Sequence, residues 1–216
     1  MERLTFFAPS RDADIEITVK RSRFIGSVRL LTDAASAQQK VSEVAQIFPK
    51  ATHYAWAYKT TAAQPLEHAS DAGEPSGTAG RPILGAIKRA NLDNTIIIVT
   101  RYFGGVKLGV RGLIDAYGEA AQLAAEACMP TEMQFCKKLA LRCDYAYSKT
   151  LLSSLDKFGF DEEKRSTHFG QAVEVSIDVP LYKINEMSPA FEQLYLRKLI
   201  AEPKWAGALQ IRPCVN

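Results

Sequence analysis

The sequence predicts an α+β protein of two domains, and three features of its residue pattern lead to this prediction. Apolar and polar residues alternate, as in half-buried strands, both early and late in the chain, at 15–19 and at 173–179. Between them, a β-branched run precedes a long helical pattern of apolar residues. Pro130 follows that pattern, and we therefore assign residues 1–130 to one domain and 131–216 to the other.

In the first domain, helical and strand patterns alternate along the chain. Strands are expected at 15–19, 24–30, 53–59 and 94–103, and helices at 33–48, 82–90 and 110–128. Tyr54, Trp56 and Tyr58 share one face of their strand, which we expect to be buried because a half-buried strand needs such a face.

The second domain has a recognisable order of elements. A strand and a helix come first, followed by two strands joined by a turn at Gly170, a further helix and a short last strand near Leu209 and Ile211. The sequence does not determine where the second helix starts, because Pro189 in Ser188-Pro189 either caps or kinks it. This βαββαβ order is the ferredoxin-like pattern.

Composition excludes several classes of protein. The chain has 27 basic and 24 acidic residues, so only a local patch of charge would bind nucleic acid. The longest aliphatic run, 96–99, is too short to span a membrane, and the first ten residues lack the apolar core of a signal peptide. Cysteine spacing does not fit a zinc site. We therefore expect a cytoplasmic protein with free buried thiols, without a metal, a cofactor or a membrane partner, and we favour a monomer.

The glycine-rich segment 70–80 is the first candidate site. Gly73 and Gly80 allow backbone conformations in which consecutive amides bind an anion, and Thr78 is a candidate cap for the helix that follows. Arg81 stands at the start of that helix, where a phosphate contact is possible. The alternative is a loop that only turns the chain.

Asp71 and Glu74 in the same segment, with His68, are spaced for a metal or an acid–base pair. Spacing does not determine direction in a glycine-rich loop, and we favour the alternative that both carboxylates cap amides or pair with Arg81 or Arg101.

The segment 100–111 is the second candidate site. Arg101, Lys107 and Arg111 offer positive charge, Tyr102 is a candidate for stacking on a base, and Gly104 and Gly105 let a ligand approach the backbone. The alternative is a strand end, a turn and a helix start. The segment lacks the Lys-Ser/Thr of a phosphate-binding loop, and the chain has no Gly-x-Gly-x-x-Gly dinucleotide motif.

These two segments, together with 22–26 and the 53–59 strand, resemble the IMPACT/YigZ family. The blocks Asp71-Ala72-Gly73-Glu74-Pro75 and Arg101-Tyr102-Phe103-Gly104-Gly105 carry the resemblance, which covers about residues 15–130, and the tail is similar to that of bacterial members.

The resemblance implies a first domain similar to domain 2 of ribosomal protein S5 and to domain IV of elongation factor G, and a tail similar to domain V of that factor. Eukaryotic members regulate translation through a stress kinase and carry an additional domain for it. The first predicted strand begins near Asp14, so we expect that role not to carry over.

Three hypotheses follow from the residues and the resemblance. The first, which we favour over an enzyme, is a non-catalytic protein that binds RNA or the ribosome in translation, with phosphate contacts from Arg81, Lys88, Arg89, Arg101, Lys107 and Arg111. The second is an enzyme that uses Asp71, Glu74, Arg81 and Arg101 on a phosphorylated small molecule. The third is a protein-interaction module that uses the second domain.

Overall fold

The computed structural model describes residues 5–61 and 65–214, beginning with strand β1 (Thr5–Pro9). The chain divides into two compact units. The first is Phe6–Glu132, and the second runs from Met133 to the end of the described chain and includes Thr5. None of the helices in the described ranges is long and apolar enough to cross a membrane.

The first unit contains one antiparallel sheet. Its strands are β2 (Ala13–Val19), β3 (Ser22–Leu30), β4 (His53–Thr60), β5 (Leu66–Ser70) and β6 (Thr95–Tyr102). They lie in the order β2–β3–β6–β4–β5. The alternation of the sequence did not indicate β5, because its residues are mostly exposed and lack an apolar face.

Helices pack on both faces of this sheet, which explains why the central strand is apolar throughout. On one face, Ile96 and Ile98 pack with α1 (Ala37–Ile47). On the other, Ile97 and Val99 pack in the core that includes α2 (Gly80–Arg89) and α3 (Gly109–Ala127). A strand buried on both faces lacks polar alternation, as predicted for the β-branched run.

The aromatic face of β4 is less buried than the sequence predicts. Tyr54, Trp56 and Tyr58 are only half-buried, and they pack against the core under α1. Trp56 and Tyr58 stack with ring centroids 5.8 Å apart, and His68 of β5 lies beside both. These side chains lie at the margin of the α1 core rather than within it.

A close approach at Gly26 places α3 over β3. A Cβ atom at this position would lie 2.3 Å from the carbonyl oxygen of Ala120, a distance that no side chain tolerates. Glycine and the alanines of α3 therefore let the helix and the strand pack closely. Tyr117 of α3 then meets Phe24 of β3 edge to face, with centroids 5.2 Å apart.

The second unit has the predicted βαββαβ order. Its elements are β7 (Pro130–Cys143), α4 (Tyr145–Lys157), β8 (Arg165–Phe169), β9 (Val173–Pro180), α5 (Leu181–Leu196) and β10 (Lys204–Pro213). The four strands lie in the order β10–β7–β9–β8, all antiparallel. This is the ferredoxin-like arrangement.

Several boundaries in this unit differ from the prediction. β8 begins five residues later than expected, because 162–164 form a 3-10 turn. β10 is ten residues long rather than short. Pro189 lies inside α5, so it neither begins nor ends that helix. Local propensity misplaced these limits because tertiary packing sets where a helix or strand stops.

All four cysteines are free, and three of them are buried. Burial raises the pKa of Cys128 to about 11 and that of Cys136 to about 12. Thiols in this state are poor nucleophiles and pack as small apolar side chains, as the sequence predicted.

Candidate functional site

The two glycine-bearing segments meet in space through a buried ion pair. The guanidinium nitrogen Nη1 of Arg101 lies 2.6 Å from Oε1 of Glu74, and the two side chains are only 7% and 3% exposed. Arg101 stands near the end of β6, and Glu74 reaches it from the loop that precedes α2. The pair joins two segments that are 27 residues apart.

Two further side chains converge on the Glu74 carboxylate. The Tyr117 hydroxyl donates a hydrogen bond to Oε1 over 2.7 Å, and His53 places Nε2 at 3.8 Å from the same oxygen. Burial, and then this hydrogen bond, raises the pKa of Tyr117 far above its usual range. The tyrosine is therefore a hydrogen-bond donor and not a base.

These contacts correct the predicted role of Arg101. Its charge is neutralised by Glu74, and its guanidinium carbon lies over the rings of Phe24 and Phe103, at 5.5 and 5.4 Å from their centroids. A buried and paired guanidinium does not offer its charge to a phosphate in solvent. Arg101 is therefore a structural residue in this arrangement, as the alternative interpretation of Glu74 anticipated.

The predicted anion-binding loop is filled by a side chain of the protein itself. The Asp71 carboxylate accepts hydrogen bonds from the amides of Gly77, Ala79 and Gly80, at 2.8, 3.0 and 2.8 Å. Burial raises the pKa of this carboxyl, but the three amides outweigh that effect and the pKa is lowered overall. Asp71 thus accepts the free amides at the N-terminus of α2, where a phosphate contact was the prediction.

Thr78 does not cap this helix, contrary to the prediction. Its hydroxyl donates to the carbonyl of Pro75 over 2.7 Å, and α2 begins at Gly80 rather than Pro82. The carboxylate of Asp71, eight residues before Ala79, takes the place of a local cap.

The turn between β6 and α3 has a different character. The Phe103 amide donates to Thr52 Oγ1 over 3.0 Å, and the Gly104 amide donates to Ser22 Oγ over 3.1 Å. A Cβ atom at Gly104 would lie 2.1 Å from the carbonyl carbon of Arg21. The backbone of this turn therefore touches the β2–β3 turn, and only glycine permits the approach.

Three cations stand on these two touching turns, and a fourth lies in the first turn of α3. Lys20, Arg21, Lys107 and Arg111 are all exposed, and we call this set the basic surface. Arg111 pairs with Asp115 at 3.1 Å, but both side chains are largely exposed, so the pair contributes little. Within residues 5–61 and 65–214, no carboxylate pairs with Lys20, Arg21 or Lys107.

The aromatic residue on this surface is not the expected one. Tyr102 is half-buried, its hydroxyl donates to the carbonyl of Pro49 over 3.0 Å, and the Arg23 guanidinium lies over its ring at 5.2 Å. Phe103 is 46% exposed. Phe103 therefore offers more of its ring to solvent than the candidate residue Tyr102 does.

The remaining cations of the predicted set lie on α2. Lys88 pairs with Glu67 at 2.6 Å, while Arg81 and Arg89 are exposed. The contact of these three cations with phosphates stays a prediction. In the part of the chain that the structure describes, no three His, Cys, Asp or Glu residues gather as metal ligands.

The sequence missed several residues that build the site. His53 and Tyr117 gave no signal, because each looks like an ordinary residue of a strand or a helix face. Lys20 and Arg21 gave no signal either, because charges between two strands are typical of a solvated turn, and only the contact of Arg21 with Gly104 connects this turn to the second segment.

Comparison with known proteins identifies the family. The Impact N-terminal domain matches residues 20–125. The IMPACT family member YvyE of Bacillus subtilis is 30% identical over 190 residues, which cover 88% of this chain and 87% of that protein. The chain belongs to the IMPACT family.

One solved structure supports the fold of this family member. The crystal structure of a hypothetical protein covers the whole chain and 99% of its own, with a TM-score of 0.64 and 23% identity. The two-domain translational regulator Yih1 covers 58% of this chain and 49% of its own, with a TM-score of 0.33 and 20% identity. That second superposition is too loose to support an inference about function.

Proposed function

We propose that this IMPACT-family protein binds RNA through the basic surface, as a non-catalytic factor in translation. One observation carries the proposal: the backbone contact between Gly104 and Arg21 joins two turns that carry three exposed cations, and a fourth, Arg111, lies in the first turn of α3. Phosphate contacts provide most of the affinity of non-specific RNA binding, and exposed Lys and Arg side chains are the groups that make them.

The N-terminus of α3 supports the same location. Its first turn contains no acidic residue, and no side chain caps it. The positive end of the helix dipole and the cations Lys107 and Arg111 therefore act in the same direction on an approaching phosphate.

The alternative of an enzyme at Asp71, Glu74, Arg81 and Arg101 is less well supported. Three of these side chains already have partners inside the protein: Asp71 with three amides, and Glu74 with Arg101. A phosphorylated substrate would have to displace these contacts. The ribosome, rather than a small molecule, is the partner we propose.

Charge reversal tests this proposal. The double variant R21E/K107E should bind ribosomal RNA and purified ribosomes more weakly than the wild type. The log–log dependence of its affinity on salt should become shallower by about 1.4, because each contact to a single-stranded phosphate contributes about 0.7. Filter binding at several salt concentrations measures both quantities.

The double variant K149E/K157E is the matched control. It makes the same change in net charge on the exposed face of α4, in the second unit. The proposal requires that this control bind as the wild type does. Equal weakening by both variants would show that bulk charge controls binding, and full binding by R21E/K107E would exclude the basic surface.

A further inference from the structure

An exposed aromatic side chain, Phe103, precedes the turn that carries Lys107, and its position is held at three points. Phe103 is 46% exposed, which alone says little, because isolated apolar residues are common on protein surfaces. Its backbone, however, is held by hydrogen bonds from two consecutive amides to Thr52 and Ser22, which come from different parts of the chain. The ring itself has a buried support.

That support is the guanidinium of Arg101, whose carbon lies 5.4 Å from the Phe103 ring centroid. Arg101 in turn is held by the Glu74 carboxylate, which also accepts the Tyr117 hydroxyl. Cation–π contact with a guanidinium that cannot move orients a ring. The buried cluster thus supports the ring, and the next residue, Gly104, contacts Arg21 of the basic surface.

From this arrangement we propose that Phe103 is a stacking platform for an unpaired RNA base, with the neighbouring phosphates on Lys107 and Arg21. The proposal rests on the proposed function and deepens it, because it specifies single-stranded RNA as the ligand. Bases in a duplex are stacked on each other and cannot lie on a protein ring, whereas unpaired bases stack on exposed aromatic side chains.

Charge favours this ligand over a protein partner at the same place. The core of a protein interface is depleted in lysine, yet Lys20 and Lys107 lie on the two turns that meet next to Phe103 in the chain, without a carboxylate partner among the described residues. A polyanion whose bases offer flat apolar faces complements both the cations and the ring.

Binding to two matched chains tests the platform. One probe is an oligoadenylate of about ten nucleotides, within the usual site size, and the other is an abasic ribose-phosphate chain of the same length. The wild type should bind the oligoadenylate about ten-fold more tightly than the abasic chain. F103A should lose that preference, while its affinity for the abasic chain and its salt dependence stay unchanged.

F103L and F103W complete the test. Leucine keeps the apolar bulk but has no flat face, so F103L should behave as F103A does, whereas F103W should restore or increase the preference for bases. Circular dichroism measures whether the variants are folded. If F103A does not fold, F103L alone tests whether the preference for bases is lost.

Two kinds of result distinguish a failure of this inference from a failure of the proposed function. Equal affinity of the wild type for both probes, or full retention of the preference by F103L, would overturn the platform and leave phosphate binding standing. Binding of neither probe, or binding that R21E/K107E does not weaken, would overturn the RNA-binding function and the platform with it.

Discussion

The N-termini of α2 and α3 follow glycine-bearing segments of similar composition, yet they present opposite chemistry. At α2, the Asp71 carboxylate accepts the amides of Ala79 and Gly80, and the helix end is closed. At α3, the first turn has no acidic residue and no side-chain cap, and cations stand around it. The comparison shows that a carboxylate upstream of the helix decides whether a glycine-rich turn is available to an external anion.

The two segments also differ in whether their charged side chains stabilise the fold or are exposed to a ligand. The loop before α2 uses both of its carboxylates inside the protein, so its residues contribute to stability. The turn before α3 uses its backbone amides to fix its own shape and leaves its cations exposed. Substitutions in the two segments should therefore change different measurements.

The largest effect is expected at the buried pair. Glu74→Gln removes only the charge and leaves Arg101 buried without its counterion, which should lower the free energy of unfolding by about 3 kcal/mol. Urea denaturation measures this loss. The salt dependence of RNA binding should not change, because Arg101 does not contact the ligand.

Glu43→Gln is the control, since Glu43 pairs with Lys40 at 3.0 Å with both side chains partly exposed. It should cost far less than Glu74→Gln, because water screens an exposed pair. A steeper salt dependence in Glu74→Gln would contradict our assignment, because it would mean that the released Arg101 charge reaches the RNA.

The next effect in size is expected at Asp71. Asp71→Ala leaves the amides of Gly77, Ala79 and Gly80 without their acceptor, which should cost about 2 kcal/mol. Thermal or urea unfolding measures the loss, and RNA affinity should stay at the wild-type value. Tighter RNA binding by Asp71→Ala would contradict this expectation, because it would mean that the freed amides of the α2 loop contact the phosphates.

This stabilisation should depend on pH with a definite sign. The amides lower the pKa of Asp71 in the folded protein below its ordinary value of 3.8, so the stabilisation is complete above that value. It is lost as the pH falls through the lowered pKa. The difference in stability between the wild type and Asp71→Ala should therefore be constant near neutral pH and shrink below about pH 4.

The smallest effect is expected from closing the open helix end. Val110 lies in the first turn of α3 and is 62% exposed. Val110→Asp should stabilise the protein by about 0.5 kcal/mol at low salt through the helix dipole, and it should weaken RNA binding because it places a carboxylate beside Lys107. Val110→Asn supplies the uncharged control. If both substitutions weaken binding equally, the charge at this helix end does not matter.

The sequence predicted the fold better than it predicted the site. Alternation in β9, the β-branched run of β6 and the βαββαβ order gave the α+β class and the ferredoxin-like unit, because each depends on local period and propensity. It also anticipated that Asp71 and Glu74 have partners within the protein. It did not indicate that Arg101 is buried against Glu74, because residue type does not reveal which side of a strand end is covered.

By itself, then, the sequence determined which segments carry charge, glycine and apolar periodicity, since these are properties of neighbouring residues. Only the tertiary structure decided which charges are neutralised and which stay exposed. Glu74 reaches Arg101 across 27 residues, and Arg21 meets Gly104 across more than eighty. Such contacts depend on how the sheet and the helices pack, and packing places charges together or apart without regard to their spacing along the chain.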